Sequence, residues 1–193
     1  MLPSQFPVPN RLLAAMARSD YQRLELELEY VDLTAGQVLH QAGELIHHVY
    51  FPEDTLVTLL AVADKDRALA VGLAGNDGLV GLGVKTSPMR AMVQVPGNAW
   101  RMKTAFFVWE FQKNAFLRQA VLGYVHTLTL QISQTARCNR FHSIEERLAR
   151  WLLMTRVRLS SHHMRLTHEF LGYLLGVRVP EFRTPRKCSK SVG

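Results

Sequence analysis

The sequence predicts an α+β protein with two short helices, a roll of short antiparallel strands, one long helix and the beginning of a further helical unit. Residues 30–102 alternate between apolar runs of about four to eight residues and breaks that hold Gly, Pro, Asn or Asp, which is typical of a sandwich or barrel of short strands. Residues 114–140 contain no proline and repeat apolar residues three and four positions apart, which favours a long helix. The net charge of +7 favours a polyanionic partner.

The first segment, residues 1–29, contains two predicted short helices. The stretch PNRLLAAMARSDYQRLELELE (9–29) has a helical apolar period and a break at Ser19-Asp20. Leu12, Leu13 and Met16 lie on one face of the first helix and are expected to be buried.

Cysteine content and hydropathy indicate the cellular compartment of the protein. Cys138 and Cys188 are the only cysteines, so the sequence predicts a reducing compartment, no disulfide framework, and no four-cysteine iron–sulfur cluster within one chain. No basic region precedes a long apolar run at the N-terminus, and no stretch approaches about 18 uninterrupted apolar residues. We therefore expect a cytoplasmic protein without a membrane partner.

The predicted strand domain covers residues 30–112. Its strands fall in VDLTAGQVLHQAGE (31–44), HHVYFPEDTLVTLLAV (47–62), RALAVGLAGNDGLVGL (67–82) and MRAMVQVPGNAWRM (89–102). The third run is rich in glycine, as a phosphate-binding loop is, but no Lys-Ser or Lys-Thr pair follows it. Its glycines are therefore interpreted as turns and a bulge.

The predicted long helix occupies residues 113–141 and carries one apolar seam along its length. A helix of about 27 residues is roughly 40 Å long, which exceeds the flank of a small barrel. We therefore predict a homodimer through residues 114–140, although packing of the seam on its own strands remains open. The seam residues are Leu117, Val121, Tyr124, Leu128, Ile132 and Thr135.

Residues 142–178 predict two further helices. The first begins with a capping box at Ser143 and Glu146, and we expect it to bury Ile144, Leu148, Trp151, Leu152 and Thr155. The second has Thr167 as its N-cap and Gly176 at its end. Its expected buried stripe consists of Phe170, Leu171, Leu174 and Leu175. This pattern matches the first helix and the turn of a helix-turn-helix.

Residues 179–193 change in character. Pro180 is tolerable at the start of a helix, whereas Pro185 within one costs about 3 kcal/mol. Basic residues follow without an apolar period, so the composition predicts a disordered basic tail and no second helix.

The order of these parts resembles the Crp/Fnr family of bacterial transcription regulators over residues 9–178. The most specific stretches are GLAGNDGLVGL (72–82), SPMRAMVQVPG (87–97), HSIEERLARWLL (142–153) and LTHEFLGYLLGVR (166–178). The resemblance implies a cyclic-nucleotide-binding-like β-roll (a jelly roll) as effector domain and a long dimerisation helix. It also implies a winged helix-turn-helix that enters the major groove of DNA.

In the family's cyclic-nucleotide cassette, a Gly-Glu pair holds the ribose and an Arg-Ser or Arg-Thr pair holds the phosphate. The matching positions here are Gly81-Leu82 and Met89-Arg90, and Ala91 follows the arginine. Leucine accepts no hydrogen bond, and each lost polar partner costs about 1–3 kcal/mol. We therefore expect no cyclic-nucleotide binding, while Arg90 leaves an anion site open.

By the same resemblance, Arg165, Thr167, His168 and Arg178 are candidates for contacts with the DNA backbone. Since no recognition helix or wing follows them, we expect DNA binding to be weak or non-specific. Regrouping the codons allowed for residues 179–193 one base upstream permits a peptide that continues as the family's turn and recognition helix would. We hypothesise that a single-base loss near the Arg178 codon truncated the protein, which the coding DNA would show.

Other chemistry has little support in the sequence. The histidine clusters (His47-His48, and His162-His163 with His168) lack metal-ligand spacing, so no metal is predicted, and haem has no specific support. No nucleophile elbow or paired-carboxylate motif indicates an enzyme. The predicted function is a transcription regulator with an unknown effector. The alternative is an effector-binding or hetero-dimerising sensor module that acts without DNA.

Overall fold

A computed structural model describes residues 10–64, 67–82, 85–159 and 168–175. It confirms the predicted α+β fold class. The helices are α1 (Arg11–Ala14), α2 (Arg18–Glu25), α3 (Thr104–Lys113), α4 (Ala115–Phe141), α5 (Ile144–Arg158) and α6 (His168–Leu175). The strands are β1 (Glu29–Leu33), β2 (Val38–His40), β3 (His48–Pro52), β4 (Leu56–Asp64), β5 (Arg67–Ala74), β6 (Met89–Val95) and β7 (Gly97–Lys103).

The buried side chain of Asn10 joins the first helix to the strands. Its carbonyl oxygen accepts hydrogen bonds from the first turn of α1, and its amide nitrogen donates to the carbonyls of Pro52 and Gly78, both at 2.9 Å. The break between the helices lies between Ala14 and Arg18, so the prediction of a break at Ser19-Asp20 is wrong. The earlier turn lets α1 and α2 bury apolar side chains in one cluster.

The strands form two antiparallel sheets, ordered β1-β7-β3 and β2-β6-β4-β5. The register between β4 and β6 shifts once, near Leu56 and Val57. Apolar side chains from both sheets fill the interior of the roll. This interior cluster consists of Leu33, Tyr50, Val57, Leu59, Ala74, Val80, Ala91, Val93 and Ala99.

The predicted long helix is confirmed as α4, which has 27 residues. The side chain of Asn114 caps its first turn by accepting a hydrogen bond from the backbone N–H of Leu117 at 2.9 Å. The first half of α4 packs with α1, α2 and α3 against the β1-β7-β3 sheet. We call this the helical cluster: Leu13, Met16, Leu24, Val49, Phe51, Leu79, Met102, Phe107, Leu117, Val121 and Tyr124.

The second half of α4 lies against β5, the edge strand of its sheet. The side-chain amide of Gln131 accepts from the backbone N–H of Leu73 at 2.6 Å and donates to the Leu73 carbonyl at 3.4 Å. One glutamine thus pairs with the strand edge as a neighbouring strand would. A side chain at Gly72 would contact Leu128 and Gln131, and one at Gly78 would overlap Tyr124.

Helices α5 and α6 pack on the outer face of the β2-β6-β4-β5 sheet. The capping box is confirmed, since Glu146 accepts from the Ser143 N–H at 2.8 Å and the Ser143 hydroxyl accepts from the Glu146 N–H at 3.3 Å. Burial of Trp151 and Thr155 is also confirmed. Burial of Ile144 and Leu152 is not, because Ile144 is the first residue of α5, about two turns before Trp151, and Leu152 lies at the edge of the buried face; they are 53% and 37% exposed.

The outer cluster joins this sheet to α5 and α6 and consists of Leu56, Leu60, Ala70, Leu73, Met92, Trp151, Leu159, Phe170 and Leu174. Burial of Phe170 and Leu174, expected from the sequence, is therefore confirmed. Thr167, Gly176, Cys188 and the tail at 179–193 lie outside the described residues. Within the described part, no helix combines the length and apolar content needed to cross a membrane.

Replacement of Gly78 by alanine tests the contact between the roll and α4. We expect Gly78→Ala to lower the free energy of unfolding by about 1–3 kcal/mol, because the new methyl group would overlap the buried ring of Tyr124. The midpoint of urea unfolding measures the change.

Gly123→Ala is the matched control, since a side chain at this exposed position of α4 meets no atom within 4 Å. Alanine should stabilise the helix there by up to about 1 kcal/mol. Equal effects of the two substitutions would contradict the close packing at Gly78.

Candidate functional site

The four predicted effector residues have different surroundings in the described structure. Gly81 has φ +91°, and a β-carbon there would lie 2.6 Å from the backbone oxygen of His48. The chain at Gly81 therefore passes so close to β3 that glycine is required. Leu82 packs against the helical cluster, whereas Met89 packs against the interior cluster. The assignment of these residues to an effector site stays a prediction.

Arg90 lies on the outer side of its sheet. It pairs with Leu60 of β4, and Leu60 belongs to the outer cluster, whereas its neighbour Ala91 belongs to the interior cluster. Successive strand residues point to opposite faces. The guanidinium Nε of Arg90 donates to the side-chain oxygen of Gln41 at 2.7 Å. Arg90 is therefore held at the sheet surface by a neutral partner.

His40 is a buried polar residue in this region that the sequence analysis did not single out. It pairs with Ala91 of β6, and its Nδ1 has no hydrogen-bond partner within the described structure. Burial lowers the pKa of His40 below its ordinary value of 6.5, although the nearby backbone of Gln41 and Met89 opposes that shift. Burial therefore favours the neutral form of this imidazole. A single histidine has no periodic pattern in the sequence that would reveal its burial.

Much of the predicted dimer seam is covered by the chain itself. Leu117, Val121 and Tyr124 are buried in the helical cluster. Leu128 packs against both the helical and the interior clusters. The seam at these positions therefore joins α4 to its own roll, which is the alternative that the sequence left open.

A second apolar stripe on α4 is uncovered. Leu122 is 56% exposed and Val125 is 39% exposed, and Ile132 is only partly buried. With Thr129 and Ala136, which are also exposed, these residues follow the alternating spacing of three and four that a two-stranded coiled coil requires. We call Leu122, Val125, Thr129, Ile132 and Ala136 the exposed stripe.

Three arginines of α5 are engaged within the chain. Arg158 forms a two-pronged ion pair with Asp77, with Nε–Oδ1 at 3.0 Å and Nη2–Oδ2 at 2.8 Å. Arg147 donates to the carbonyl of Leu174 at 2.8 Å, and Arg150 donates to the hydroxyl of Thr135 at 3.1 Å. These contacts fix α5 to the turn after β5, to α6 and to α4 respectively.

The predicted DNA-backbone residues fall at or beyond the edge of the described structure. His168 is the first residue of α6, while Arg165, Thr167 and Arg178 lie outside the described residues. Among the residues that the structure describes, no group of three or more His, Cys, Asp or Glu side chains could hold a metal ion.

The low pKa of His40 predicts a pH dependence of stability. The unfolded chain binds a proton below about pH 6.5 more readily than the folded chain, so the free energy of unfolding should fall as the pH drops through this range. Above that range both states are neutral at this residue and the effect is absent. Urea unfolding at about pH 7.5 and about pH 5 measures it.

His40→Gln should reduce this loss of stability in acid, because the titrating group is removed. His126→Gln, an exposed substitution on α4, should leave the loss as it is in the unaltered protein. A loss of the same size in the His40→Gln protein would contradict the assignment.

Comparison with known proteins finds likeness in structure only. No family model matches the sequence, and no curated protein matches it. The global regulator CLP of Xanthomonas campestris, which responds to c-di-GMP, is 18% identical, with a TM-score of 0.67 over 83% of this chain and 86% of that chain.

Two further solved structures are similar. FixK2 of Bradyrhizobium japonicum is 14% identical, with a TM-score of 0.66 over 78% of each chain. A Crp/Fnr family regulator of Eubacterium rectale is 11% identical, with a TM-score of 0.68 over 87% of this chain and 81% of that chain. The described part of this chain therefore has the fold of the Crp/Fnr regulators, with a cyclic-nucleotide-binding-type β-roll followed by a long helix.

Proposed function

We propose that this protein is a Crp/Fnr-type transcription regulator that dimerises through α4 and senses an unidentified effector through its β-roll. The observation that carries the proposal is the arrangement of α4, which buries one face in its own roll and leaves the exposed stripe uncovered. A helix of this length with two apolar faces can pack on the chain's own core through one face and on a partner through the other.

The exposed stripe fits a second copy of the same chain. Its five residues carry no charge and alternate at three and four positions, so two parallel α4 helices related by a two-fold axis can interdigitate along it. The β-branched residues Val125, Thr129 and Ile132 suit a closely packed seam of two helices.

Replacement of Leu122 by glutamate should dissociate the dimer. A carboxylate in the middle of an apolar seam loses its hydration without gaining a partner, which costs more than a dimer of modest area recovers. Size-exclusion chromatography with light scattering should give twice the chain mass of 21.9 kDa for the unaltered protein and a single chain mass for Leu122→Glu.

Leu130→Glu is the control, because Leu130 is equally exposed at 57% and lies off the exposed stripe. This variant should remain dimeric. A monomeric unaltered protein, or dissociation by both substitutions alike, would rule out this dimer.

The DNA-binding part is proposed to be incomplete. Leu153 and Val157 of α5 are four residues apart, so they share one side of the helix, and they are 65% and 69% exposed in the described structure. Such a surface is typical of a helix on which a further element packs. The engagement of Arg147, Arg150 and Arg158 within the chain also removes three cations from possible phosphate contacts.

DNA binding should therefore be non-specific. We expect a Kd of about 10⁻⁴–10⁻⁶ M at physiological salt, equal for unrelated duplexes and rising steeply with salt concentration. Fluorescence anisotropy measures the affinity, and selection from a random duplex pool should enrich no sequence. Tight binding that persists at raised salt would overturn this expectation.

The roll is proposed not to bind a cyclic nucleotide. Leu82 stands where a ribose acceptor would be, and Arg90 is bound to Gln41 on the outer side of the sheet. The interior of the roll is filled by an apolar cluster, which offers no charge to a phosphate.

A second candidate function is a sensor that acts without DNA by forming mixed dimers with complete relatives. The exposed stripe favours it, because this surface belongs to α4 and does not involve the DNA-binding part. Co-purification with a complete relative distinguishes the two functions.

A further inference from the structure

A small, partly enclosed cavity lies where α4, α5 and α6 meet the edge strand β5. It has room for about one water-sized particle. The lining residues are Ala70, Thr135, Cys138, Asn139, Arg147, Arg150, Trp151 and Leu174. Neither the exposed stripe nor the interior of the roll contributes to it.

Most of the hydrogen-bond acceptors around this cavity already have a donor. The carbonyl of Leu174 accepts from Arg147, and the hydroxyl of Thr135 accepts from Arg150. That hydroxyl donates its own hydrogen to the carbonyl of Gln131 at 2.9 Å. The sulfur of Cys138 accepts from the side chain of Gln134 at 3.2 Å.

Two buried donors, in contrast, have no acceptor. The indole Nε1 of Trp151 and the guanidinium Nε of Arg147 make no hydrogen bond in the described structure, and Trp151 is only 1% exposed. Both groups can only donate. Leaving a buried donor unpaired costs about 1–3 kcal/mol, and more when the group is charged.

The chemistry of the lining favours an anion over water. A bound water would satisfy the two donors but would bring two hydrogens of its own, for which the side-chain oxygen of Asn139 is the remaining acceptor of the lining. An anion brings only lone pairs. Arg147 and Arg150 supply two positive charges, and no carboxylate is among the lining residues.

We propose that this cavity binds one small monovalent anion, for which chloride is the probe, between Trp151 and Arg147. The ion accepts from the indole and from the guanidinium Nε. Because Arg147 also holds the Leu174 carbonyl of α6, an ion that orients this guanidinium stabilises the attachment of α6 to α5.

Thermal unfolding of the full chain tests the site when chloride replaces gluconate at constant ionic strength, since gluconate is too large to enter. An ion bound only by the folded state raises Tm with its concentration. We expect a rise of about 2–4 °C once chloride exceeds its Kd severalfold.

Trp151→Phe should abolish most of this rise, because phenylalanine keeps a ring beside Phe170 but lacks the donor. Arg147→Lys removes the Nε donor while keeping the charge, and it serves as the second variant if Trp151→Phe fails to fold. Trp109→Phe, at an exposed position on α3 that is not among the lining residues, should retain the full rise.

A Tm of the unaltered protein that does not depend on chloride would overturn the proposal. So would a rise that persists in both Trp151→Phe and Arg147→Lys, because the ion would then bind elsewhere. The dimerisation tests are independent of this result, since the cavity and the exposed stripe share no residue.

Discussion

Helix α4 can lie directly against the roll because glycines stand where it approaches. Gly72 admits Leu128 and Gln131, and Gly78 admits the ring of Tyr124. The Gln131 side chain then pairs with the backbone of Leu73 and closes the open edge of β5. An unprotected strand edge invites pairing with another chain, so this contact defines both the fold and the surface that α4 has left for a partner. The position of α5 and α6 follows from it, because they pack beside the same strand.

The positive charge of the chain is partly structural. A net charge of +7 favours a polyanionic partner, yet three of the arginines nearest to the expected DNA-binding part make contacts within the chain. The two-pronged pair of Arg158 and Asp77 is partly shielded from solvent, where ion pairs are screened less than at the open surface. These arginines attach α5 to α6, to α4 and to the turn after β5.

The apolar residues of α4, which the sequence predicted as one seam, lie on two different faces of the helix in the structure. The seam from Leu117 to Leu128 contributes to the core of one chain, whereas the exposed stripe lies about a quarter-turn away and is free for association. A periodicity argument detects that residues share a face, but two faces with overlapping periods merge into one signal. Only the position of the roll beside the helix shows which apolar residues are already covered.

The amino-acid sequence was sufficient to predict the strand segments, the long helix and the start of α5. Turn residues marked the strands, the absence of proline over 114–140 marked α4, and Ser143 with Glu146 marked the start of α5, because caps and periods act over a few neighbouring residues. Tertiary structure decided what the sequence could not: that Arg90 lies outside the roll, that Ile144 and Leu152 are exposed, and that Arg147 and Trp151 share a cavity. These facts depend on contacts between residues far apart in the chain, and no local pattern records them.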